Sequence, residues 1–379
     1  MRFPEFIDEW TETQLGKIGQ TYNGLTGKSG EDFGRGYPYI TYKSIFDCSK
    51  IDISRVEYVN LTEEEIEEGS QNEVKYGDIF FTTSSETPDE VGMTSVLLDN
   101  INHCFLNSFC FGYRLNSPNK YLPEFMRFYL RSQSIRRKLY ILAQGSTRFN
   151  ISKNEVMQMN ILLPQNIEQR KIAQFLALID ERIATQSKII EDLELLKSAI
   201  YHRIFSSMKG KMVALKSIAN IIKGKQLNGT ELSDNGDYYV MNGGIAPSGY
   251  YHAYNAPANT ISISEGGNSC GYVQFNNLPF WSGGHCYTLQ MSSIDIDLTF
   301  LYHYLKHKEK DIMSLRIGSG LPNIQKKDLG NFPILLPAID EQEKAVCLFD
   351  ALQQKVEIEI KLHNHLFTQK HYLLRHMFI

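Results

Sequence analysis

The segment Gly145-Ser-Thr-Arg-Phe-Asn-Ile-Ser-Lys153 recurs later in the chain as Gly318-Ser-Gly-Leu-Pro-Asn-Ile-Gln-Lys326. The offset between the copies is 318 − 145 = 173 residues, and it holds without a gap to the last residue of the sequence. Further matches in this register are Ile161-Leu-Leu-Pro164 with Ile334-Leu-Leu-Pro337 and Glu168-Gln169-x-Lys171 with Glu341-Gln342-x-Lys344. A self-match kept in register over this length indicates an internal duplication.

The beginnings of the two copies match more weakly. Leu15, Ile18 and Gly24 correspond to Leu215, Ile218 and Gly224 at an offset of 200, so the second globular part is shorter by 200 − 173 = 27 residues. The copies therefore diverge in their globular parts and agree best in the segments that follow. This pattern is typical of two modules that share a frame and differ in what they bind.

Each copy is predicted to be an α+β globular head followed by a long helix. Short β-rich stretches separated by Gly, Asn and Pro turns lie at 78–82, 109–113, 260–263 and 285–289. Residues 121–142 and 298–315 are predicted to be helical. The boundaries assigned from the sequence are 1–164 for head 1, 165–205 for its helix, 206–337 for head 2 and 338–379 for the second helix.

The long helices carry an apolar seam. In the first it comprises Ile172, Leu176, Ile179, Ile183, Ile190, Leu193, Ile200 and Ile204; in the second it comprises Ala345, Phe349, Leu352, Val356, Leu366, Leu373 and Met377. A heptad seam requires a partner helix, and each copy is expected to pair antiparallel with the other. Gln186 and Lys197 interrupt the first seam, either to fix its register or as exposed positions. A helix over 168–205 would be about 57 Å long.

Composition narrows the function classes. The net charge is −4 at 22% charged residues, so a DNA-binding surface would have to be a local patch. No apolar run approaches the roughly 18 residues that span a bilayer, and the N-terminal residues lack a signal-peptide core, so a soluble, cytoplasmic protein is expected. The six cysteines form no C-x-x-C pair and are expected to be buried free thiols. The pairs His103-Cys104 and His285-Cys286 are poor metal-site candidates, because adjacent strand residues point to opposite faces.

The order and duplication of these motifs resemble the specificity subunit of a type I restriction–modification enzyme. The resemblance covers essentially the whole chain, including Trp10, Gly77-Asp78-Ile79 and the glycine and tyrosine pattern between Gly243 and Val273. It implies an α+β fold of two tandem target-recognition domains, each followed by a long helix, with the helices forming an antiparallel coiled coil.

The resemblance also implies a function. In that family the subunit is non-catalytic and carries no cofactor. Its two domains each read one half of a split, asymmetric sequence in double-stranded DNA. The helices dock two methyltransferase (modification) subunits, and a restriction/translocase subunit joins the complex. The residues agree, since no Walker-type phosphate loop, methyltransferase motif or nuclease cluster is found, and Glu265-Gly-Gly-Asn-Ser-Cys-Gly271 lies between β-like segments.

The repeated loop is suited to hold DNA phosphates. Glycine exposes backbone N–H groups, serine adds a hydroxyl and arginine adds charge. The alternative is that the loop only ends the preceding helix and turns into the next strand. The candidate residues of this class are Gly145, Ser146, Arg148 and Asn150 in head 1 and Arg316, Ser319 and Asn323 in head 2.

Base-reading residues are expected where the copies differ. Ser84, Ser85, Glu86 and Thr87 follow one predicted strand, and Glu265 and Asn268 follow its counterpart. A glutamate can accept a hydrogen bond from cytosine N4, and asparagine can read adenine. Both loops are equally compatible with ordinary exposed turns.

Five basic residues come early in the heads and are candidates for phosphate contacts, or are plain surface positions: Lys28, Arg35, Lys43, Lys223 and Lys225. The tyrosines between 238 and 254 are assigned to packing, because reading a duplex does not require unstacked bases.

Two other function classes remain open. A bridging protein would use the paired helices to organise partners, and substituting Arg148 and Arg316 would not affect it. An enzyme with a site shared between the copies would place acids or histidines at matched positions, whereas His103 and His285 lie among small apolar and aromatic neighbours.

Overall fold

A computed structural model describes residues 2–69, 72–318 and 320–378 of the chain. It divides into two compact units. Unit 1 comprises Met1–Ser187 with Leu362–Ile379, and unit 2 comprises Lys188–Lys361. Each long helix contributes one segment to each unit.

Unit 1 is built around a four-stranded antiparallel sheet of order β2-β9-β5-β7 and a three-stranded sheet of order β4-β3-β8, with the short pairs β1-β11 and β6-β10. In chain order its elements are β1 Thr11–Gln14, α1 Leu15–Ile18, β2 Gly19–Asn23, β3 Phe33–Ile40, α2 Tyr42–Asp47, β4 Glu57–Val59, α3 Glu63–Gly69, β5 Ile79–Thr82, β6 Ser84–Ser85, β7 Thr94–Val96, β8 Phe105–Leu106, β9 Cys110–Leu115, α4 Pro123–Tyr129, α5 Gln133–Leu142, β10 Phe149–Asn150, α6 Lys153–Gln158, β11 Asn160–Leu163 and the start of α7 Asn166–Ser207.

Unit 2 repeats this plan with a four-stranded sheet of order β13-β19-β16-β17, a three-stranded sheet of order β15-β14-β18 and the pair β12-β20. After α7 its elements are β12 Lys211–Ala214, β13 Ala219–Lys223, β14 Tyr238–Met241, β15 Tyr250–Tyr251, β16 Thr260–Ser264, β17 Val273–Asn276, β18 Trp281–Ser282, β19 Cys286–Met291, α8 Leu298–His307, α9 Glu309–Met313, α10 Lys326–Gly330, β20 Pro333–Leu336 and α11 Ile339–His376.

The glutamine of the repeated Glu-Gln motif joins each long helix to its head. Gln169 is 2% exposed; its Oε1 accepts from the Leu122 N–H at 2.9 Å, and its Nε2 donates to the Pro164 carbonyl at 2.9 Å. In unit 2, the Oε1 of Gln342 accepts from the Asp297 N–H at 2.8 Å, and its Nε2 donates to the Pro337 carbonyl at 3.0 Å. Both bonds satisfy buried backbone groups, which is why the motif recurs.

The end of α11 completes the core of unit 1. Phe378 lies 5.8 Å from Phe125 and 5.6 Å from Tyr129 between ring centroids, and Trp10 packs against the same two rings. Large buried aromatic side chains of this kind dominate the stability of a core. The chain that follows head 2 therefore enters the core of unit 1 directly after α11 ends.

The end of α7 completes unit 2 in the same way. Phe205 lies 5.9 Å from Phe300, 5.3 Å from Tyr304 and 5.1 Å from Phe349. Phe205 and Phe378 are equivalent, because 378 − 173 = 205. Each unit thus takes its closing phenylalanine from the segment that follows the other head.

In unit 1 the two helix segments run antiparallel. Lys370 pairs with Asp180 at 2.6 Å and His363 contacts Ser187 at 3.1 Å. The residue numbers along one helix therefore decrease as those along the other increase. In unit 2 the Tyr201 ring lies 4.1 Å from the ring of Phe349. The predicted fold class is confirmed. Gln186, which interrupts the seam, is 2% exposed, whereas Lys197 forms a surface pair with Glu194.

The predicted strands and helices lie near their expected positions, with two corrections. The helical segments predicted at 121–142 and 298–315 are each divided in two, as α4 with α5 and α8 with α9. The expectation of six buried thiols is wrong for Cys48 and Cys347, which are exposed. The assigned domain boundaries stay a prediction, and the long helices are observed at Asn166–Ser207 and Ile339–His376.

Candidate nucleic-acid interface

In unit 1 the repeated loop meets the loop that follows β5. Strands β6 and β10 pair so that Ser84 lies opposite Asn150 and Ser85 lies opposite Phe149. The candidate segments 84–87 and 145–150, which are some 60 residues apart in sequence, therefore form one surface.

The conformation of the repeated loop explains its glycine. Gln144 and Asn150 exchange backbone hydrogen bonds of 2.9 and 2.8 Å, which close the loop between them. Gly145 has a φ of +138°, and a Cβ at this position would lie 2.1 Å from the Arg148 carbonyl oxygen. Only glycine tolerates both conditions, so Gly145 shapes the loop whatever else the loop binds.

Arg148 extends from this loop toward β6. Its Nε and Nη2 donate to Ser84 Oγ at 3.3 and 3.0 Å, and its guanidinium lies 5.7 Å from the centre of the Phe109 ring. A guanidinium held by a hydroxyl and an aromatic face keeps its charge and retains donors for a phosphate or a base edge. The loop thus presents a positioned cation.

The neighbouring acidic residues have different roles. Glu90 accepts from Thr87 Oγ1 at 2.8 Å and from Ser85 Oγ at 3.3 Å, so these two candidate residues fix the turn. Glu86 is exposed and makes no side-chain hydrogen bond among the described residues. Of the candidates at 84–87, Glu86 is the acceptor that stays available to a ligand.

An open cavity of about 730 Å³ lies between these elements. The Tyr42 hydroxyl closes one side by donating to the Ser84 carbonyl at 2.7 Å, and its ring stacks on Phe46. The residues that line the cavity are Tyr42, Phe46, Ser84, Ser85, Glu86, Glu90, Thr147 and Arg148. Sequence reasoning missed Tyr42, Phe46, Glu90 and Thr147. Tyr42 and Phe46 lie far along the chain from the predicted loops, whereas Glu90 and Thr147 lie beside predicted positions.

Arg131 holds α2, the helix that carries Tyr42, from behind. Its Nη2 donates to the carbonyls of Ile45, Phe46 and Cys48, and its Nε donates to the Thr94 carbonyl at 2.6 Å. Burial lowers the pKa of Arg131 to about 10, so the side chain is still charged at neutral pH. The free carbonyls at a helix end favour such a cation.

Arg136 holds the loop that follows Glu86. It donates to the carbonyls of Asp89, Val91 and Gly92 at 2.6, 2.6 and 2.9 Å, and burial lowers its pKa to about 10 as well. Arg131 lies between α4 and α5, and Arg136 lies on α5. They position the interface and do not belong to its surface.

Unit 2 repeats the backbone frame. Asn323 forms backbone β-bridges with Gly266 and with Ile317. In unit 1 Asn150 pairs in the same way with Ser84 and with Gln144. The Ile324 N–H donates to the Glu265 carbonyl at 2.8 Å, and in unit 1 the Ile151 N–H donates to the Thr83 carbonyl at 2.9 Å. Residues 83 and 265 are therefore equivalent, as are 84 and 266.

The side chains on this frame differ. Position 321 is a leucine that is 85% exposed, where unit 1 has Arg148. Glu265 replaces Thr83, and its Oε1 accepts from Lys223 Nζ at 2.6 Å and from the Tyr287 hydroxyl at 2.9 Å. Its Oε2 is buried without a hydrogen-bond partner among the described residues.

Burial and the Glu265 carboxylate together keep the neighbouring Tyr287 hydroxyl protonated, so that it remains a hydrogen-bond donor. Burial and the adjacent carboxylate raise the pKa of the Tyr287 hydroxyl above its ordinary range, so that it stays protonated. His285 Nδ1 lies 3.9 Å from Glu265 Oε2, which is too far for a hydrogen bond. The free Oε2 is an acceptor that a donor group of a ligand would satisfy.

The remaining candidates are distributed around these loops. Lys28 pairs with Glu65 at 2.5 Å and is 10% exposed, so its charge is already neutralised. Arg35 on β3, Lys43 on α2, Lys225, Asn268 and Arg316 are exposed, and so is Ser146. Ser319 lies outside the described residues.

The rest of the described chain shows neither a metal cluster nor a membrane span. Among the residues that the structure describes, no group of three or more His, Cys, Asp or Glu side chains is arranged to hold a metal ion. In the same ranges, none of the helices has both the length and the apolar character needed to cross a bilayer.

Comparison with known proteins identifies the family. A family profile described as the type I restriction modification DNA specificity domain matches twice, at residues 7–195 and 209–367. The chain belongs to this family. The two matches reproduce the duplication, and the resemblance seen in the sequence is confirmed.

Three relatives carry names of the same kind. A putative type I specificity subunit of Mycoplasma pneumoniae is 37% identical over 157 residues, covering 39% of this chain and 42% of the relative. One of Mycoplasma genitalium is 27% identical over 250 residues, or 62% of this chain and 65% of the relative. The chain thus matches less than two thirds of either protein. A putative MjaX specificity subunit of Methanocaldococcus jannaschii is 24% identical over 399 residues, covering 94% and 90%.

Solved structures share the fold. The type I restriction–modification S subunit from M. genitalium aligns over 100% of this chain and 98% of its own length, with a TM-score of 0.63 at 20% identity. A chain from a structural study of assembly of the type I system aligns over 98% and 97%, with a TM-score of 0.63 at 19% identity.

Proposed function

We propose that this chain is the non-catalytic specificity subunit of a type I restriction–modification complex, and that each head reads one half of a bipartite, asymmetric target in double-stranded DNA. It works in the cytoplasm and holds no cofactor itself. Family membership supports the class of protein, and the duplicated loops support the division of the target into two parts.

One observation carries the proposal. The two heads keep the same hydrogen-bonded frame around the repeated loop, with Ile151 on Thr83 and Ile324 on Glu265, but present different side chains on it. Conserved backbone geometry with variable side chains is what reading two different half-sites requires, because phosphate contacts position a protein and side chains at base edges specify the sequence.

The geometry suggests roles for individual residues. Arg148 in head 1 and the exposed Arg316 in head 2 would contact phosphates, with Arg35, Lys43 and Lys225 as further exposed cations. Glu86 and Glu265 would accept from cytosine N4, and Asn268 would read adenine. Lys28 and Lys223 are already paired with carboxylates and would instead orient them.

The partners proposed are two methyltransferase subunits, docked on the long helices, and a restriction/translocase subunit. Both helices leave large apolar side chains in water. In unit 1 Leu178 is 63% exposed, and in unit 2 Leu195 and Ile358 are 71% and 57% exposed. Apolar side chains of this size on a helix surface favour contact with another protein.

The test is an exchange of heads within the assembled modification complex, followed by sequencing of the methylated sites. Replacing head 1 by that of a relative should change one half of the recognised sequence and leave the other intact. A change in both halves would contradict the modular reading. A complex that methylates nothing with its native heads, although it assembles, would favour a bridging protein.

A point variant sharpens the test. Glu265→Gln turns an acceptor into a group that also donates, so the preferred base at one position of one half-site should change. Arg55→Ala is a surface control, since its side chain is 83% exposed and pairs with Asp52, three residues away. The purified chain alone should bind no S-adenosylmethionine, and stoichiometric binding would overturn the non-catalytic assignment.

A further inference from the structure

In unit 1 the N-terminal segment covers the first turns of α7. Arg2 Nε and Nη2 each donate to the carboxylate of Glu168 at 2.7 Å, and Trp10 Nε1 lies 3.4 Å from the same carboxylate. The Glu168 side chain is 2% exposed as a result. A two-point arginine–carboxylate pair of this kind is among the strongest contacts a side chain makes.

The aromatic residue next to Arg2 packs one to two turns further along the helix. The Phe3 ring lies 5.8 Å from that of Phe175, and Lys171 Nζ lies 4.6 Å above it. Glu5 forms an ion pair with Lys171. Three helix positions, 168, 171 and 175, therefore bind one short segment through an arginine, an aromatic ring and an acid.

The equivalent positions of unit 2 are open. An offset of 173 gives Glu341, Lys344 and Leu348. Glu341 and Lys344 are exposed and form no side-chain hydrogen bond or ion pair with the described residues, and Leu348 is 42% exposed. They line a groove of about 460 Å³, together with Ala345, Ile204, Ser207, Met208 and Lys209. Its size falls within the range of roughly 300–1,000 Å³ typical of ligand sites.

We propose that this groove in unit 2 binds a segment of a partner protein in which an arginine is followed directly by an aromatic residue, with an acid nearby. The arginine pairs with Glu341, the ring packs on Leu348 beside Met208, and the acid pairs with Lys344 or Lys209. Unit 1 shows this chemistry on the same three helix positions. The proposal concerns assembly and does not depend on DNA reading.

The charges of the groove argue for a partner of this composition. It carries one acid and two lysines, Glu341, Lys344 and Lys209, around an apolar floor. A second copy of the chain is a weaker choice of occupant, because its own Arg2 is already held by a buried carboxylate in its unit 1. Releasing that pair would leave Glu168 buried and unpaired, which is costly.

The test uses a labelled peptide, Arg-Phe-Pro-Glu-Phe-Ile-Asp-Glu-Trp, titrated with the full chain and followed by fluorescence anisotropy. Saturable binding at one peptide per chain is expected. Leu348→Ser and Glu341→Lys should each weaken it by about tenfold or more, as for a central contact of an interface. Glu343→Lys is the matched control, because it makes the same charge change at an exposed position of α11 that does not line the groove.

A charge exchange separates lost binding from lost folding. A peptide with glutamate in place of the arginine should bind the Glu341→Lys chain better than it binds the unaltered chain. No saturable binding, or binding that both groove variants leave unchanged, would overturn the proposal. Sedimentation of the chain alone gives the other decisive result: concentration-dependent self-association that Leu348→Ser abolishes would assign the groove to a second copy and overturn the partner.

Discussion

The two heads agree where the backbone is concerned and differ at the tips of their loops. Around the repeated loop, the pairs Ser84–Asn150 and Gly266–Asn323 hold corresponding segments together. On this frame, unit 1 places Arg148 against a serine and an aromatic ring, while unit 2 exposes Leu321 and half-buries an acceptor, Glu265. The shared frame therefore depends on main-chain hydrogen bonds and glycine geometry, which leaves the loop side chains free to differ.

The supports behind the loops differ as well. Arg131 in unit 1 corresponds to Lys306 in unit 2, since Leu122 and Asp297 are the matched partners of the helix glutamines and 297 − 122 = 175. Arg131 reaches four carbonyls, whereas Lys306 donates to one carbonyl, that of Val273, and to Glu309. A single side chain therefore binds more of the backbone behind the loops in the first head than in the second.

The largest effects are expected at the shared glutamines. Gln169→Ala and Gln342→Ala each remove bonds to buried backbone groups, so each should destabilise its own unit by about 3 kcal/mol, given about 1–3 kcal/mol for every buried group left unpaired. Hydrogen exchange resolved by peptide would show the loss in one unit at a time. Gln353→Ala, which removes only an exposed hydrogen bond to Glu357 within α11, is the control. A large effect in one unit and none in the other would break the equivalence of the heads.

A smaller effect is expected at the loop supports, and here the heads should differ. Arg131→Ala should destabilise α2 and its surroundings by about 2–3 kcal/mol, and Lys306→Ala by about 1 kcal/mol, because more carbonyls lose their donor in the first case. Arg131→Lys, which gives unit 1 the residue of unit 2, should fall between. Urea unfolding with hydrogen exchange, read at residues 42–48 for Arg131 and around Val273 for Lys306, measures the two losses. Equal losses would show that the number of carbonyl bonds does not matter.

At the loop tip, Arg148→Ala should weaken binding of DNA by the assembled complex by about tenfold, or about 1.4 kcal/mol. Leu321→Ala at the equivalent position removes no charge and should leave the salt dependence of binding unchanged. Because each lost phosphate contact lowers the slope of log K against log salt by about one, titrations at several salt concentrations distinguish the two positions. An unchanged slope in Arg148→Ala would exclude a phosphate contact.

The smallest expected difference is a pH dependence confined to unit 2. His303 is buried, with Tyr201 and Asp350 on its two ring nitrogens, and burial lowers its pKa; burial lowers the pKa of His307 too. Below about pH 6.5 the unfolded chain therefore takes up protons before the folded unit does, so stability falls as the pH falls. Unit 1 has Phe128 in place of His303, since 303 − 175 = 128.

The control for this prediction is the double variant His303→Phe/His307→Gln. We would follow the melting temperatures of both units from about pH 7.5 down to about pH 5. In the double variant, the melting temperature of unit 2 should depend on pH no more steeply than that of unit 1. A slope that survives in the double variant would assign it to other groups.

Most of the secondary structure and the repeat were predictable, because both depend on short local sequence patterns. The gapless register from Gly145 and Gly318 located the repeated loops, the helices and their pairing, and alternating apolar residues located the main strands. The sequence predicted 84–87 and 145–150 only as two separate candidate segments. Their contact could not be predicted, because the pairing of β6 with β10 joins distant parts of the chain.

What could not be predicted depends on long-range contacts of ordinary residues. Arg131 and Arg136 look like surface charges of a helix, and nothing in their local sequence shows that they end on carbonyls 37 to 86 residues away. The same holds for Lys28, proposed as a phosphate contact but paired with Glu65. Tyr42 and Phe46 joined the candidate site only through the fold.

The exchange of closing phenylalanines has a consequence for how the protein is made. Unit 1 lacks the core residues Met377 and Phe378 until they have been translated, although its other buried core positions are complete by Leu176. At about 5–20 residues per second, the ribosome needs about 10–40 s to add the intervening 378 − 176 = 202 residues. During that time the pocket around Phe125 and Tyr129 stays uncovered on the nascent chain, so chaperones that bind exposed aromatic surface have a defined window in which to act.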